Sequence, residues 1–169
     1  MMRIMGAVLV AAVCAWLGFQ AADGLRRRLQ AMKQMVQALG LLERELDLGA
    51  PPLPQLLERV AGLSAGSARR FLEGCQQDLS RLDTQEFSSL WSAQVEHQAE
   101  LGQEGQAILT SLGAILGRYD AQAQREAVAA ARRHLEEMVS QGEQERRRQG
   151  RVYQVLGLSG GAFLVILLL

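Results

Sequence analysis

Few residues in this chain of 169 are of the types that do chemistry. The two histidines are His97 and His134. His134 lies in Arg133-His134-Leu135-Glu136-Glu137, which lacks the second histidine that a zinc-protease helix uses to set two ring nitrogens on one metal, and neither histidine has a cysteine cluster nearby. The only lysine is Lys33, and no glycine-rich phosphate loop accompanies it, which argues against nucleotide hydrolysis. Glu43 with Glu45, or Glu136 with Glu137, could be pictured as an acid and base pair, but on helices such pairs more often form solvated faces with neighbouring arginines. Nothing resembles a nucleophile, base and oxyanion donor brought together, so the expectation is a protein that binds, without catalysis, cofactor or metal. Cys14 and Cys75 fall in different parts of the chain and suggest inert thiols, with no disulfide and no oxidising compartment.

The elements that position these residues are set by the two ends. Val152 to Leu169, VYQVLGLSGGAFLVILLL, contains no charged residue. As a helix it would be roughly 27 Å long at about 1.5 Å per residue, near the roughly 30 Å of a bilayer's hydrocarbon core. Only Tyr153, Gln154 and Ser159 break its apolar surface, whereas a buried core helix normally keeps a polar stripe. Ile4 to Ala22 is a second apolar run, interrupted by Gln20. Arg26-Arg27-Arg28 follows the first run, and Arg146-Arg147-Arg148 with Arg151 precedes the second. Arginines at both inner edges mark the cytoplasmic side, since translocating them is unfavourable. One arginine before the first run against three after it argues for a retained anchor over a secretory signal peptide. The expected organisation is a transmembrane helix over 1–22, a cytoplasmic helical bundle over 23–151 and a transmembrane helix over 152–169.

Lys+Arg and Asp+Glu stand at 18 each, so no global charge draws in nucleic acid, and topology already accounts for the arginine clusters. The middle segment reads as helical throughout, with no strand signal. Leu25, Leu29, Met32, Val36 and Leu39, then Leu42 and Leu46, give a long first helix that stops at Gly49-Ala50-Pro51-Pro52. A short second helix spans about Leu53 to Ala61, with Leu56, Leu57 and Val60 inward. Gly62 to Gly66 reads as a linker, after which Ser67 can cap a third helix carrying Phe71, Leu72, Cys75 and Leu79. Asp83-Thr84-Gln85-Glu86 has the form of a capping box that opens a fourth, with Phe87, Leu90, Trp91 and Val95 on one side. Gly102 and Gly105 bracket the next boundary, and a fifth helix runs to about Gly117. Asp120 is placed to cap a sixth, seamed by Val128, Ala131, Leu135 and Met138, which could continue into the C-terminal anchor with weak points at Gly142 and Gly150. The expected fold is all-α, a six-helix bundle flanked by two transmembrane helices. Its first and last helices should lie side by side.

Leu112 to Gln124 is the most informative internal stretch. Gly113 and Gly117 stand four apart, which on one helix face would admit a neighbouring helix closely, and Gly117 could also end the helix. This segment resembles the G-x-x-L-G-x-x-D-x-x-x-Q signature of the stage III sporulation protein AB family, matched by Gly113, Leu116, Gly117, Asp120 and Gln124. The resemblance runs the length of the chain, through Gly6 and Gly18-Phe19, the Leu42-Glu43-Arg44-Glu45-Leu46 segment, Pro52-Leu53 and the closing Leu156-Gly157. Leu48 stands where the family would have a tyrosine.

The resemblance implies an endospore-forming bacterium and a subunit of the mother-cell apparatus that builds a channel toward the forespore. It also implies a soluble domain similar to the helical cytoplasmic domains of type II secretion F platform proteins. The expected partners are the cytosolic stage III sporulation protein AA ATPase, other channel subunits in the membrane, membrane lipid and a second copy of the chain. The expected location is the outer forespore membrane, with the bundle in the mother-cell cytoplasm. Candidate packing or interface residues are Glu45, Pro52, Leu53, Gly113, Leu116, Gly117, Asp120 and Gln124. A membrane enzyme is disfavoured by the missing site. A signalling or scaffold bundle of another envelope complex is the alternative, although long uninterrupted heptads are broken at Gly49 to Pro52, Gly62 to Gly66 and Gly102 to Gly105.

Overall fold

The structure, a computed structural model, describes the backbone of residues 2–49, 51–81, 86–117 and 120–168, and the side chains of 23–49, 51–80, 86–117 and 120–148. Among these residues there are six α-helices and no strand: α1 (Met2–Gly49), α2 (Leu53–Leu63), α3 (Gly66–Asp78), α4 (Phe87–Glu96), α5 (Gly102–Gly113) and α6 (Ala121–Leu168). Short 3₁₀ turns follow α3 and precede α5. Among the described residues no helix is long and apolar enough to cross a membrane. The two expected spans, Ile4 to Ala22 and Val152 to Leu169, lie outside the residues whose side chains are described.

α1 and α6 each run for 48 residues without a break, including through Gly142 and Gly150. They lie antiparallel: Lys33 pairs with Glu143, Arg132 with Glu43 at 3.0 Å and Arg125 with Asp47 at 2.8 Å, so the chain descends α6 as it climbs α1. Lys33's hydrogen bond and charge hold the Glu143 carboxyl below its ordinary value. That small contribution is present above the ordinary carboxylate range and fades as pH falls through the lowered value. Around the bundle, α6 packs on α5, α5 on α4, α4 on α3, and α3 closes the ring on α1, while α2 fills the space between α1 and α3.

The core is one cluster to which every helix contributes, from Met35, Leu39 and Leu42 through Leu56, Phe71, Trp91 and Leu109 to Val128 and Leu135. The periodicity of α1 finds one line of this core, but Ala31, Met35 and Ala38 are buried too, because α1 is flanked on one side by α6 and on the other by α2 and α3. Cys75 is buried, and its thiol is pushed up to about 12 by desolvation and the nearby Asp78 charge, as an inert thiol should be.

Several helix boundaries differ from the sequence reading. α2 extends through Gly62 to Leu63, leaving Ser64 and Ala65 as the connection, with the Ser64 hydroxyl donating to the Val60 carbonyl at 2.7 Å. α4 begins at Phe87 with Glu86 at its cap position and no side-chain cap bond. The fourth helix therefore starts later than the expected cap at Asp83 places it, and Asp83 to Gln85 lie outside the described residues. Gly102, at φ 68°, opens α5, whereas Gly105 is inside that helix and buried against Leu101 and Leu135.

The third helix is not capped by Ser67. Ala65 is at the cap position, and Ser67 is a buried residue in the first turn whose N–H and hydroxyl both donate to the Gln34 side-chain oxygen, at 2.9 and 3.0 Å. A glutamine on α1 thus supplies the acceptor that a local cap would supply, which ties the α3 N-terminus to α1. Gly66, at φ 60°, lies directly against the Gln34 amide, leaving no room there for a side chain. Gln34→Ala is expected to cost about 1–3 kcal/mol in a urea melt, because it strands a buried hydroxyl and a first-turn N–H together.

Candidate functional site

Most of the motif residues meet at one end of the bundle, where the α1–α2 and α5–α6 connections lie side by side. Gly49, at φ 152°, ends α1, and Pro52 and Pro54 start α2, whose first backbone bond runs from Leu56 N–H to the Pro52 carbonyl at 3.0 Å. Leu53 packs beside Gly117, so that a Cβ added there would lie 3.5 Å from Leu53 Cδ2. Leu116 is buried and Pro52 is exposed. Glu45, half-buried, accepts from Arg59 at 3.2 Å, and Asp47 pairs with Arg125, one residue beyond Gln124. The hydrogen bond and charge of Asp47 push the Arg125 guanidinium above its ordinary value.

Gly117 ends the helical hairpin by conformation. α5 stops at Gly113, and the Ile115 and Leu116 N–H groups both turn back to the Leu112 carbonyl, at 3.0 and 3.1 Å. Gly117 then takes φ 79°, a left-handed conformation that costs little only for glycine. The expectation that Gly113 and Gly117 share one helix face is therefore corrected, because Gly117 lies outside the helix. The fifth helix, expected to run to about Gly117, stops at Gly113, and Gly117 closes the turn that follows it.

Gly113 belongs to a different environment. It is buried deeper in the bundle, against the Trp91 ring, where an added Cβ would approach Trp91 Cγ to 2.6 Å and Nε1 to 2.9 Å. Trp91 is fully buried, donates its indole N–H to the Leu109 carbonyl at 2.7 Å and meets Phe71 edge-on at 4.7 Å between ring centres.

Asp120 caps α6 as its position predicts: its side-chain oxygen accepts the Ala123 N–H at 2.8 Å, and its carbonyl accepts the Gln124 N–H at 3.0 Å. Asp120→Ala is expected to lower the stability of the bundle by about 0.5–2 kcal/mol in thermal melts, and Asp120→Asn, which keeps a good cap, to leave it nearly unchanged. Gln34, Trp91 and Arg125 are the contributors that sequence reasoning did not single out. Each reads locally as an ordinary helix residue, and only its partner on another helix gives it a role.

At the opposite end, Leu25, Arg28 and Leu29 of α1 share a groove with Gln141, Gly142 and Glu145 of α6. The two basic clusters therefore project from the same end of the α1–α6 pair, away from the motif turns. Among the described residues no group of three His, Cys, Asp or Glu could hold a metal.

Residues 3–169 match the family model described as Stage III sporulation protein AB. The Stage III sporulation protein AB of Bacillus subtilis (strain 168) is 24% identical over 172 residues, covering 100% of both chains. A solved structure of Stage III sporulation protein AB (SpoIIIAB) has the same fold, with a TM-score of 0.63 and 21% identity over 72% of this chain and 98% of that one. Both relatives carry the name of a sporulation protein, and neither is named as an enzyme.

Proposed function

Because this chain belongs to the stage III sporulation protein AB family, we propose that it is a membrane platform subunit of the mother-cell-to-forespore channel apparatus, without catalytic activity of its own. In this reading Ile4 to Ala22 and Val152 to Leu169 are transmembrane helices in the outer forespore membrane. The bundle stands in the mother-cell cytoplasm and docks the stage III sporulation protein AA ATPase, while lipid, other channel subunits and a possible second copy contact the spans. The observation that carries it is the antiparallel α1–α6 pair. Such a pair delivers both arginine clusters to one end, as two helices entering one membrane from the same side require. It also holds the motif turns at the far end, where a cytosolic protein would meet them.

A pull-down between the full chain in detergent and the purified ATPase, with nucleotide present, tests the proposal. A micromolar or tighter complex is the expected result. Asp120→Asn is expected to leave the melt unchanged and to weaken that complex, since it removes a charge from the exposed turn while keeping the cap. No detectable complex with the wild-type chain would overturn direct docking.

A further inference from the structure

We propose that the membrane-facing end of the bundle holds the phosphate of an anionic lipid headgroup between Arg27 of α1 and Arg70 of α3. The proposal rests on the membrane reading above and adds a lipid class and a binding site to it. Arg27 and Arg70 are far apart in the chain, yet they line one pocket of about 170 Å3 together with Gln30, Gln34, Ser67 and Glu100.

Membrane topology accounts for the arginine clusters beside the two apolar runs, but it gives no reason for an arginine at position 70. The fold brings Arg70 to α1 because Ser67, one turn earlier on α3, is bonded through its N–H and hydroxyl to Gln34. Those donors are thereby used up, which leaves the guanidiniums as the groups that can take an anion. Arg69, the neighbour of Arg70, is already paired with Glu73 at 2.7 Å. Arg27 and Arg70 are both exposed, and neither forms an ion pair with a described carboxylate.

The charge balance of the pocket is positive. Glu100 is the only carboxylate that lines it, against two guanidiniums. A third guanidinium stands beside the same turn: Arg28 lies over Gly102, where an added Cβ would come within 2.6 Å of Arg28 Nη2. Glu104 and Glu145 lie in a separate groove, on the α6 side of Arg28.

Position along α1 specifies which phosphate this is. Arg27 comes five residues after Ala22, where the first apolar run ends, which is about 7.5 Å along a helix. The headgroup layer outside the hydrocarbon core is about 5–7.5 Å thick on each side. Arg27 therefore stands at the level of lipid phosphates. A planar guanidinium donates two N–H groups to two phosphate oxygens, and a net positive pocket favours a lipid whose headgroup carries no compensating cation.

The test titrates the full chain in non-ionic detergent with dioleoyl phosphatidylglycerol or dioleoyl phosphatidylcholine and counts bound lipids by native mass spectrometry. Phosphatidylglycerol is expected to bind about tenfold more tightly. Arg27→Gln and Arg70→Gln should each weaken it about fivefold, the usual worth of one arginine at an anionic lipid surface, with unchanged melting midpoints. Glu100→Gln should tighten it about twofold, a gain that misfolding does not produce. Arg69→Gln removes the same charge one position away and should bind as the wild-type chain does. Equal binding of the two lipids overturns the proposal, as does equal weakening by Arg69→Gln and Arg70→Gln, which would be an effect of overall charge. Displacement of phosphatidylglycerol by an equal concentration of inorganic phosphate would make this a site for a free anion and overturn the lipid assignment. The membrane reading is tested apart from this, by alkaline carbonate washing of the chain reconstituted into neutral phosphatidylcholine vesicles. Release of the chain overturns both readings, whereas retention without a preference for phosphatidylglycerol overturns only the lipid site.

Discussion

Gly113→Ala is expected to destabilise the bundle by about 1–3 kcal/mol, the usual cost of forcing an extra carbon into a packed core, and Gly113→Leu by more. The new Cβ has no free volume to enter, because it would stand 2.6 Å from Trp91 Cγ. The ring cannot easily retreat. Its N–H is held by the Leu109 carbonyl, its face and edge are met by Phe71 and Phe87, and it is fully buried. Relief would have to come from α4 sliding away from α5, which would open the core that both helices share. Gly117→Ala should cost less and by another route, since an added Cβ there meets only ordinary contact and the strain lies in its positive φ. Melts of the segment 23–151, which spans the bundle, would separate the two. Equal midpoints for Gly113→Ala and wild type would refute the close contact with Trp91.

Trp91→Ala is expected to be the most damaging single substitution, at about 3–5 kcal/mol, against a total stability that for such domains is about 5–15 kcal/mol. It removes the largest side chain of the core and with it the edge-on contact to Phe71. It also leaves the Leu109 carbonyl without its indole donor. Trp91→Phe divides these terms. It keeps an aromatic ring and loses the N–H, so a cost near 0.5–1.5 kcal/mol is expected. Because Gly113 exists to admit this ring, the two positions must couple: Gly113→Ala in a Trp91→Ala background should cost much less than in the wild-type chain. Additive effects in that cycle would mean that α4 and α5 pack by some other contact.

Much of the bundle is written in local pattern. The break at Gly49 to Pro52, the Asp120 cap and the apolar seams of α2 and α6 are read correctly because each depends on residues within a turn or two of one another. The same locality explains the errors. Ser67 looks like a cap from its neighbours, yet its hydrogen bonds go to a residue 33 positions earlier. The pair Gly113 and Gly117 looks like one helix face from its spacing, yet the two glycines serve separate purposes, one admitting a ring and the other taking a positive φ. The family motif is therefore not a single contact surface. Its glycines, leucine and aspartate shape a turn and a core contact, while Leu53 is brought to that turn from the start of α2, and Glu45 and Pro52 bond to α2 itself.

By itself the sequence determined the all-helical class, the order of six helices, the two apolar ends with their arginine borders, and the family. All of these follow from periodicity, composition and local turn chemistry, which need no partner to be expressed. Only the tertiary structure decided which faces are shared. It set Gln34 against α3, Trp91 against Gly113 and Asp47 against Arg125, and it brought Arg70 of α3 into one pocket with Arg27 of α1. The physical reason is that a helix's periodicity fixes which residues lie on a common face but not which other helix that face meets. That choice is made by packing all six helices into one core at once.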